Sequence, residues 1–148
     1  MAVKEIRLRS ELFSFMDVEN PEEEIEQHLT IGSDGSVEFT ALQYVDRVAN
    51  VIPVRTLKTK LSPEDTEGIF SLVEELPDGQ THEKSECGSW DVQLFDENGT
   101  RRTRKGLMMD DELNRRVSES MRLLIPIDHL FLIDARFDVP DGDVVACD

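Results

Sequence analysis

The stretch SWDVQLFDENGTRRTRKGL, residues 89–107, decides the fold of this chain. Trp90, Val92 and Leu94 alternate with polar residues and lead to the pair Asn98-Gly99. Such alternation indicates a half-buried strand, and Asn-Gly is a strong signal for a type I′ hairpin turn. Counting outward from that turn, the expected cross-strand pairs are Leu94 with Thr103, Val92 with Lys105, and Trp90 with Leu107. We therefore expect an apolar face at the base of this hairpin, covering a core built mainly by two helices.

Further strands are expected where apolar residues alternate with polar ones, at residues 3–9, 28–31, 37–42 and 51–61. The second and third flank turn-forming residues and predict another hairpin, with an apolar face of Leu29, Ile31, Val37 and Phe39. Pro53 confines the fourth strand to an edge or a bulge, because proline has no N–H to donate to a ladder.

Capping residues and apolar stripes predict two helices. Ser62-Pro63 begins the first, with a stripe of Ile69, Leu72, Val73 and Leu76. Asp110 or Asp111 caps the second, whose stripe is Leu113, Val117, Met121 and Leu124, with Arg122 toward the opposite side.

The apolar run 129–133 reads as a last buried strand, and Asp141-Gly142 permits a small hairpin between residues 137–139 and 144–145. The element order predicts an α+β fold: an antiparallel sheet of about five to seven strands with two helices packed on one face. We expect a single domain over 1–148, with an acidic segment at 17–27 and an acidic C-terminal tail at 134–148.

Four strings, LTIGSDGSVEFTAL, KLSPED, GSWDVQLFDENG and DHLFLID, lie between residues 28 and 134. Together they resemble a group of small, uncharacterised bacterial α+β proteins of the Firmicutes type. The resemblance implies the fold. It implies no activity, because that group has none assigned.

The charge is the most unusual property of the composition. The chain has 32 acidic and 16 basic residues among 148, a net charge of −16. Such a surface repels nucleic acid and anionic membranes and attracts basic proteins. Cys87 and Cys147 are the only cysteines, and no apolar run approaches the roughly 20 residues of a membrane span. We expect a soluble, cytoplasmic protein with reduced thiols, made by a bacterium or a phage.

No motif of catalysis, cofactor binding or metal binding stands out. Cys87-Gly88-Ser89-Trp90 resembles the papain signature but lacks its second cysteine, which is the nucleophile. His28, His82 and His129 have no metal-ligand spacing. The string beginning at Asp96 opens like a calcium loop, yet its sixth position is Arg101 where glycine is required. We expect no catalytic, cofactor or metal residues.

The basic run of residues 101–105 has two interpretations. Arg101, Arg102, Arg104 and Lys105 would suit a phosphate or nucleic-acid contact. They would equally suit an edge strand that charge protects from pairing with other chains, with Lys105 lying over apolar surface opposite Val92. The net negative charge favours the second interpretation.

The acidic clusters are the predicted partner-binding residues: Glu22, Glu23, Glu24, Glu26, Asp138, Asp141 and Asp143. Carboxylates can stand in for phosphates in the basic groove of a nucleic-acid-binding protein. Ile25, a lone apolar residue among the acids, would serve as an anchor. The leading hypothesis is thus a non-enzymatic acidic binding module, an inhibitor or neutraliser of immunity or anti-defence type. Its alternatives are a small housekeeping or regulatory domain with incidental acidity, and an enzyme with an unrecognised site.

Overall fold

The computed structural model of the protein describes residues 3–12, 25–44, 51–77, 88–108, 111–134, 136–138 and 144–146. These residues form a mixed α+β fold with a six-stranded antiparallel sheet, two helices and a separate pair of short strands, which confirms the predicted class. The elements are β1 Val3–Leu12, β2 Glu26–Gly32, β3 Ser36–Tyr44, β4 Val51–Lys60, α1 Pro63–Glu74, β5 Gly88–Asp96, β6 Arg101–Leu107, α2 Glu112–Leu124, β7 Arg136–Asp138 and β8 Val144–Ala146.

The strand order in the large sheet is β4-β3-β2-β1-β5-β6, and every neighbouring pair is antiparallel. The edges are therefore β4 and β6. Opposite Ala41 and Leu42 the register of β4 shifts by one residue, so that Pro53 lies beside a bulge. This confirms that the proline strand is an edge strand with an irregularity.

One face of the sheet is buried against the helices. Its period of two places Ile6, Leu8, Leu29, Ile31, Val37, Phe39, Trp90, Val92 and Leu94 in a single cluster with Ile69 and Val73 of α1 and Val117 and Met121 of α2. Each such side chain contributes roughly 1.5–3 kcal/mol when fully buried. Trp90 is buried as expected, and its indole N–H donates to the Leu107 carbonyl at 3.2 Å.

Both helix starts were predictable from their caps. The Ser62 hydroxyl accepts the N–H of Asp65 at 3.1 Å, and the Asp111 carboxylate accepts the N–H of Asn114 at 2.8 Å. Among the described residues neither helix is long and apolar enough to cross a bilayer.

The register of the β5–β6 hairpin differs from the prediction by one residue. Asp96 pairs with Thr100 around a loop of three residues, and Gly99 has a φ of +80°. The Asp96 carboxylate accepts the N–H groups of Asn98 and Thr100, both at 2.9 Å, and so holds the longer loop. The observed pairs are Trp90 with Gly106, Val92 with Arg104, and Leu94 with Arg102. The predicted pairs with Thr103, Lys105 and Leu107 are wrong.

The corrected register explains the glycine opposite the tryptophan. A Cβ atom at Gly106 would lie 2.9 Å from Cζ2 of Trp90, so only glycine leaves room for the indole there. It also places Arg102 and Arg104, rather than Lys105, on the face that carries the helices.

The prediction that 129–133 forms a strand is wrong, although the prediction that this run is buried is confirmed. Residues 127–134 form an irregular segment, with φ values of +62° at His129 and +56° at Leu132. Side chains of the sheet satisfy its backbone. The Gln27 amide donates to the His129 carbonyl and accepts the N–H of Phe131, both at 2.7 Å, and Ser10 donates to the Leu132 carbonyl at 2.7 Å.

Helix α2 holds the same segment from the other side. Arg122 makes a two-pronged ion pair with the fully buried Asp134, at 2.7 and 2.9 Å, and also donates to the carbonyls of Leu130 and Phe131. The Ser118 hydroxyl accepts the N–H groups of Ile133 and Asp134. Arg122 therefore faces the buried segment, and its predicted place on the opposite side of the helix is wrong.

Strands β7 and β8 pair antiparallel, with Arg136 opposite Ala146 and Asp138 opposite Val144. This confirms the strands of the small hairpin. Its proposed turn at Asp141-Gly142 lies outside the described residues.

Candidate functional site

The predicted partner-binding residues are only partly within the described chain. Glu26 lies in β2, and Asp138 is the last residue of β7. Glu22, Glu23, Glu24, Asp141 and Asp143 lie outside the described residues, as do Cys87, Cys147 and His82.

The sheet face turned away from the helices is polar. The register places Arg7 between Thr30 and Gln93 of the neighbouring strands, and Arg9 between His28 and Asp91. These side chains line a shallow depression of about 190 Å³ at the centre of the face. We name this surface the open face.

Glu26 belongs to the open face and is bonded within the protein. Its carboxylate lies 2.5 Å from Nε2 of His28 and 3.4 Å from Nη2 of Arg9, and its side chain is only 12% exposed. The hydrogen bond with His28 and the charge of Arg9 together hold the pKa of Glu26 below its usual range, against the opposing effect of burial. Glu26 is therefore a part of the fold's own charge network.

The two arginines of the open face also have internal partners. Arg7 donates to Glu5 at 2.8 Å and lies 4.6 Å from the centroid of the Phe95 ring, a cation–π contact. Arg9 donates to Glu11 at 2.9 Å. Because each guanidinium faces a carboxylate, the depression is a balanced network of charges, and an anion would have to compete with those carboxylates.

Ile25 is not an exposed anchor. It is 8% exposed, and its N–H donates to the Leu42 carbonyl at 2.8 Å, so it extends the β2–β3 pairing. The prediction that it would contact a partner is wrong, because alternation along β2 directs it to the same buried face as Leu29.

The basic strand β6 is an edge strand, and two of its arginines bond to the C-terminal end of helix α1. Arg104 donates to the carbonyls of Glu74 and Leu76, and Arg102 lies 3.2 Å from the Glu74 carboxylate. These carbonyls are the negative end of a helix that has no base in its own last turn. Lys105 is exposed opposite Asp91, so its expected place opposite Val92 is wrong.

Helix α1 carries five acids and no base between positions 63 and 75 of the sequence. A groove of about 360 Å³ lies between this helix and the residues Val3 and Ser33 of the sheet and its turn. Glu67 and Glu74 line it together with the apolar side chains of Val3 and Phe70. Among the described residues no histidine or cysteine lines it, and it suits a cationic side chain with an aliphatic stem. The sequence feature that could have indicated this groove is a helix whose charged residues are all acidic and which contains a single aromatic residue.

The negative charge is unevenly divided along the chain. The segment 17–27 and the tail 134–148 together contain 11 acids and one base, a net charge of −10 over 26 residues. The other 122 residues contain 21 acids and 15 bases, a net charge of −6. The described ranges contain no group of three or more histidine, cysteine or acidic side chains placed to hold a metal ion.

Comparisons with known proteins give no match: no protein-family model, no curated protein and no solved structure is similar to this chain.

Proposed function

We propose that this chain is a non-enzymatic acidic module that binds a basic surface of a nucleic-acid-binding protein in the cytoplasm and masks it, as inhibitors of immunity or anti-defence type do. The observation that carries the proposal is the division of charge. Most of the excess acid lies in the segment 17–27 and the tail 134–148, which together contain 11 acids and one base, whereas the other 122 residues contain 21 acids and 15 bases.

The internal contacts of the arginines support this proposal. Arg9, Arg104 and Arg122 each bond to a carboxylate or a carbonyl of the same chain. The charges of Arg9 and Arg122 are therefore paired with carboxylates inside the fold, and the acids outside such pairs keep the net charge of the chain negative. An excess of carboxylates steers a basic partner toward the chain and replaces the phosphates that the partner otherwise binds.

The groove along α1 offers a basic side chain both a charged and an apolar contact. The carboxylate of Glu67 lies beside Phe70, whereas that of Glu74 is paired with Arg102. An arginine or lysine of a partner can therefore place its charge on Glu67 and its stem on the ring. A solvated acid cluster offers only the first of these contacts.

The test is capture from a lysate of the producing or host cell on the immobilised chain, followed by displacement of nucleic acid. We expect a basic protein to be captured at about 0.05 M NaCl and released at about 0.5 M, since salt screens exposed charges. Excess free chain should then remove nucleic acid from the captured protein. Retention at high salt, or nucleic-acid binding that excess chain leaves unchanged, would contradict the proposal.

A further inference from the structure

Exposed apolar side chains are concentrated on edge strand β4. Ile52, Val54 and Leu57 are 44%, 41% and 39% exposed, and among the side chains whose burial the structure describes Leu123 is the only other large apolar residue of that kind. A long edge strand with apolar side chains is a surface on which another strand can add. The opposite edge, β6, has none of them and carries four bases instead.

The backbone groups that β4 offers to a new strand follow from its pairing with β3. Leu61 donates its N–H to the Gly35 carbonyl at 2.8 Å, and hydrogen-bonded pairs alternate with non-bonded pairs along an antiparallel ladder. The residues bonded to β3 are therefore Arg55, Leu57 and Thr59. The residues directed outward are Thr56, Lys58 and Lys60. The bulge beside Pro53 precedes this regular half of the strand.

We propose that β4 pairs antiparallel with β4 of a second copy of this chain, across a twofold axis at Leu57. In this register Thr56 of one copy exchanges hydrogen bonds with Lys58 of the other, so that both outward-directed residues are used. The two Leu57 side chains meet at the axis as a non-bonded pair, where side chains approach most closely. The result is a continuous twelve-stranded sheet.

The charges of β4 select this register. An axis at Lys58 would place two lysines opposite each other, and an axis at Thr56 would bring in the bulge and Pro53, which has no N–H. With the axis at Leu57 no two like charges are opposite. The strand contains no acid, Lys58 lies 3.7 Å from Glu38, and Arg55 is turned inward, 4.9 Å from the centroid of the Phe39 ring. The pair of Lys58 with Glu38 reduces the positive charge that two β4 edges present to each other.

The same reasoning excludes β6. Its outward-directed residues are Arg101, Thr103 and Lys105, as fixed by the bonds of Asp96 to Thr100 and of Met108 to Gly88 at the two ends of the hairpin. An axis at Thr103 places Arg101 opposite Lys105, and an axis at Arg102 or Arg104 places two arginines together. Every twofold pairing of β6 centred on these residues therefore opposes like charges.

The test uses the full chain in sedimentation velocity at about 1 and 100 µM. We expect a monomer–dimer equilibrium that strengthens as NaCl rises from about 0.02 to 0.3 M, since salt screens the repulsion between two copies of charge −16. This salt dependence is opposite to that of a complex driven by carboxylates, so the two proposals can fail separately. Leu57→Lys should raise the dimer Kd at least tenfold by placing two lysines at the axis.

A cross-link tests the register. With Cys87 and Cys147 replaced by serine, Leu57→Cys should form an intermolecular disulfide under mild oxidation, because Cα atoms of a non-bonded pair are about 4.5 Å apart. The matched control is Thr103→Cys on β6, which should remain monomeric on a non-reducing gel. A monomer at 100 µM in 0.3 M NaCl, or equal cross-linking of the two variants, would overturn the proposal.

Discussion

At the scale of single residues, Trp90 makes a contribution to stability that can be tested directly. It is 4% exposed at the base of the β5–β6 hairpin, and it fits against Gly106. Trp90→Ala should lower the free energy of unfolding by about 3–5 kcal/mol, because it removes apolar contacts and leaves a cavity. Urea unfolding measures this loss. Leu123→Ala, at a position 86% exposed, should change stability by less than about 0.5 kcal/mol.

Neutralising Glu26 should lower the stability of the protein, whereas neutralising one acid of an exposed acidic cluster should raise it. Its folded pKa is lowered by His28 and Arg9, so the carboxylate adds stability above its unfolded pKa, and this stability is lost as the pH falls through the folded value. Glu26→Gln should therefore destabilise the protein by about 1 kcal/mol at pH 7, a modest value because both partners are half-exposed.

The pH dependence of the difference is the check. The gap in unfolding free energy between the wild-type chain and Glu26→Gln should narrow as the pH falls below the ordinary pKa of glutamate, about 4.3, and through the lowered folded pKa of Glu26, because the wild-type carboxylate then becomes protonated. A gap that stays constant down to pH 3, or a variant more stable than wild type at pH 7, would show that Glu26 has no such role.

Some residue roles could be predicted from the sequence, and others could not. The caps Ser62 and Asp111 act on N–H groups three residues away, so a local pattern reveals them. Glu26 meets Arg9 only after β1 and β2 pair, and no local pattern contains that contact.

At the scale of elements, the β5–β6 hairpin shows why an approximate sequence signal can fail in detail. Asn98-Gly99 correctly indicated the hairpin, yet both a two-residue and a three-residue loop can hold a glycine with positive φ. The Asp96 carboxylate bonds two N–H groups of the longer loop. One extra loop residue changes every cross-strand partner, and it moves Arg102 and Arg104 onto the helix face.

The irregular segment 127–134 depends on Arg122. This side chain bonds a fully buried carboxylate and two carbonyls, so Arg122→Ala leaves Asp134 buried without its ion-pair partner. We expect a loss of about 3–5 kcal/mol in urea unfolding. Arg116→Ala is the matched control on the same helix, since its pair with Glu75 is exposed on both sides and worth less than about 1 kcal/mol. Equal losses for the two variants would contradict this role.

At the scale of the whole molecule, periodicity and caps predicted the α+β class, because burial of one sheet face requires alternation along every strand. The same sequence could not locate a partner surface. A count of charges does not say which of them bond to one another, and Glu26, Arg102 and Arg104 are bonded internally.

The charge proposal is tested by removing acids that lie outside the described framework. Glu22, Glu23 and Glu24 replaced by glutamine should weaken the complex with the captured basic partner at least tenfold, about 1.4 kcal/mol. Titration calorimetry at about 0.05 M NaCl measures the change. Glu26 is left intact, so that any loss of affinity does not come from a weakened fold.

The second predicted acidic cluster is tested with the same number of neutralised acids, by replacing Asp138, Asp141 and Asp143 with asparagine. If both variants bind normally while Arg101→Ala, which is exposed, abolishes binding, the acidic clusters are not the interface and the basic strand is.

The hydrogen bonds of Ser10 and Gln27 to segment 127–134 also affect the order in which the chain folds. Gln27 and Ser10 bond to residues 102 to 122 positions further along the chain, and these contacts complete the cover over β1 and β2. During synthesis on the ribosome, β1 and β2 emerge long before segment 127–134, which bonds to the buried side chains of Ser10 and Gln27. Contacts of such long sequence separation form slowly. We therefore expect a slow refolding phase that Gln27→Leu alters and Arg116→Ala does not.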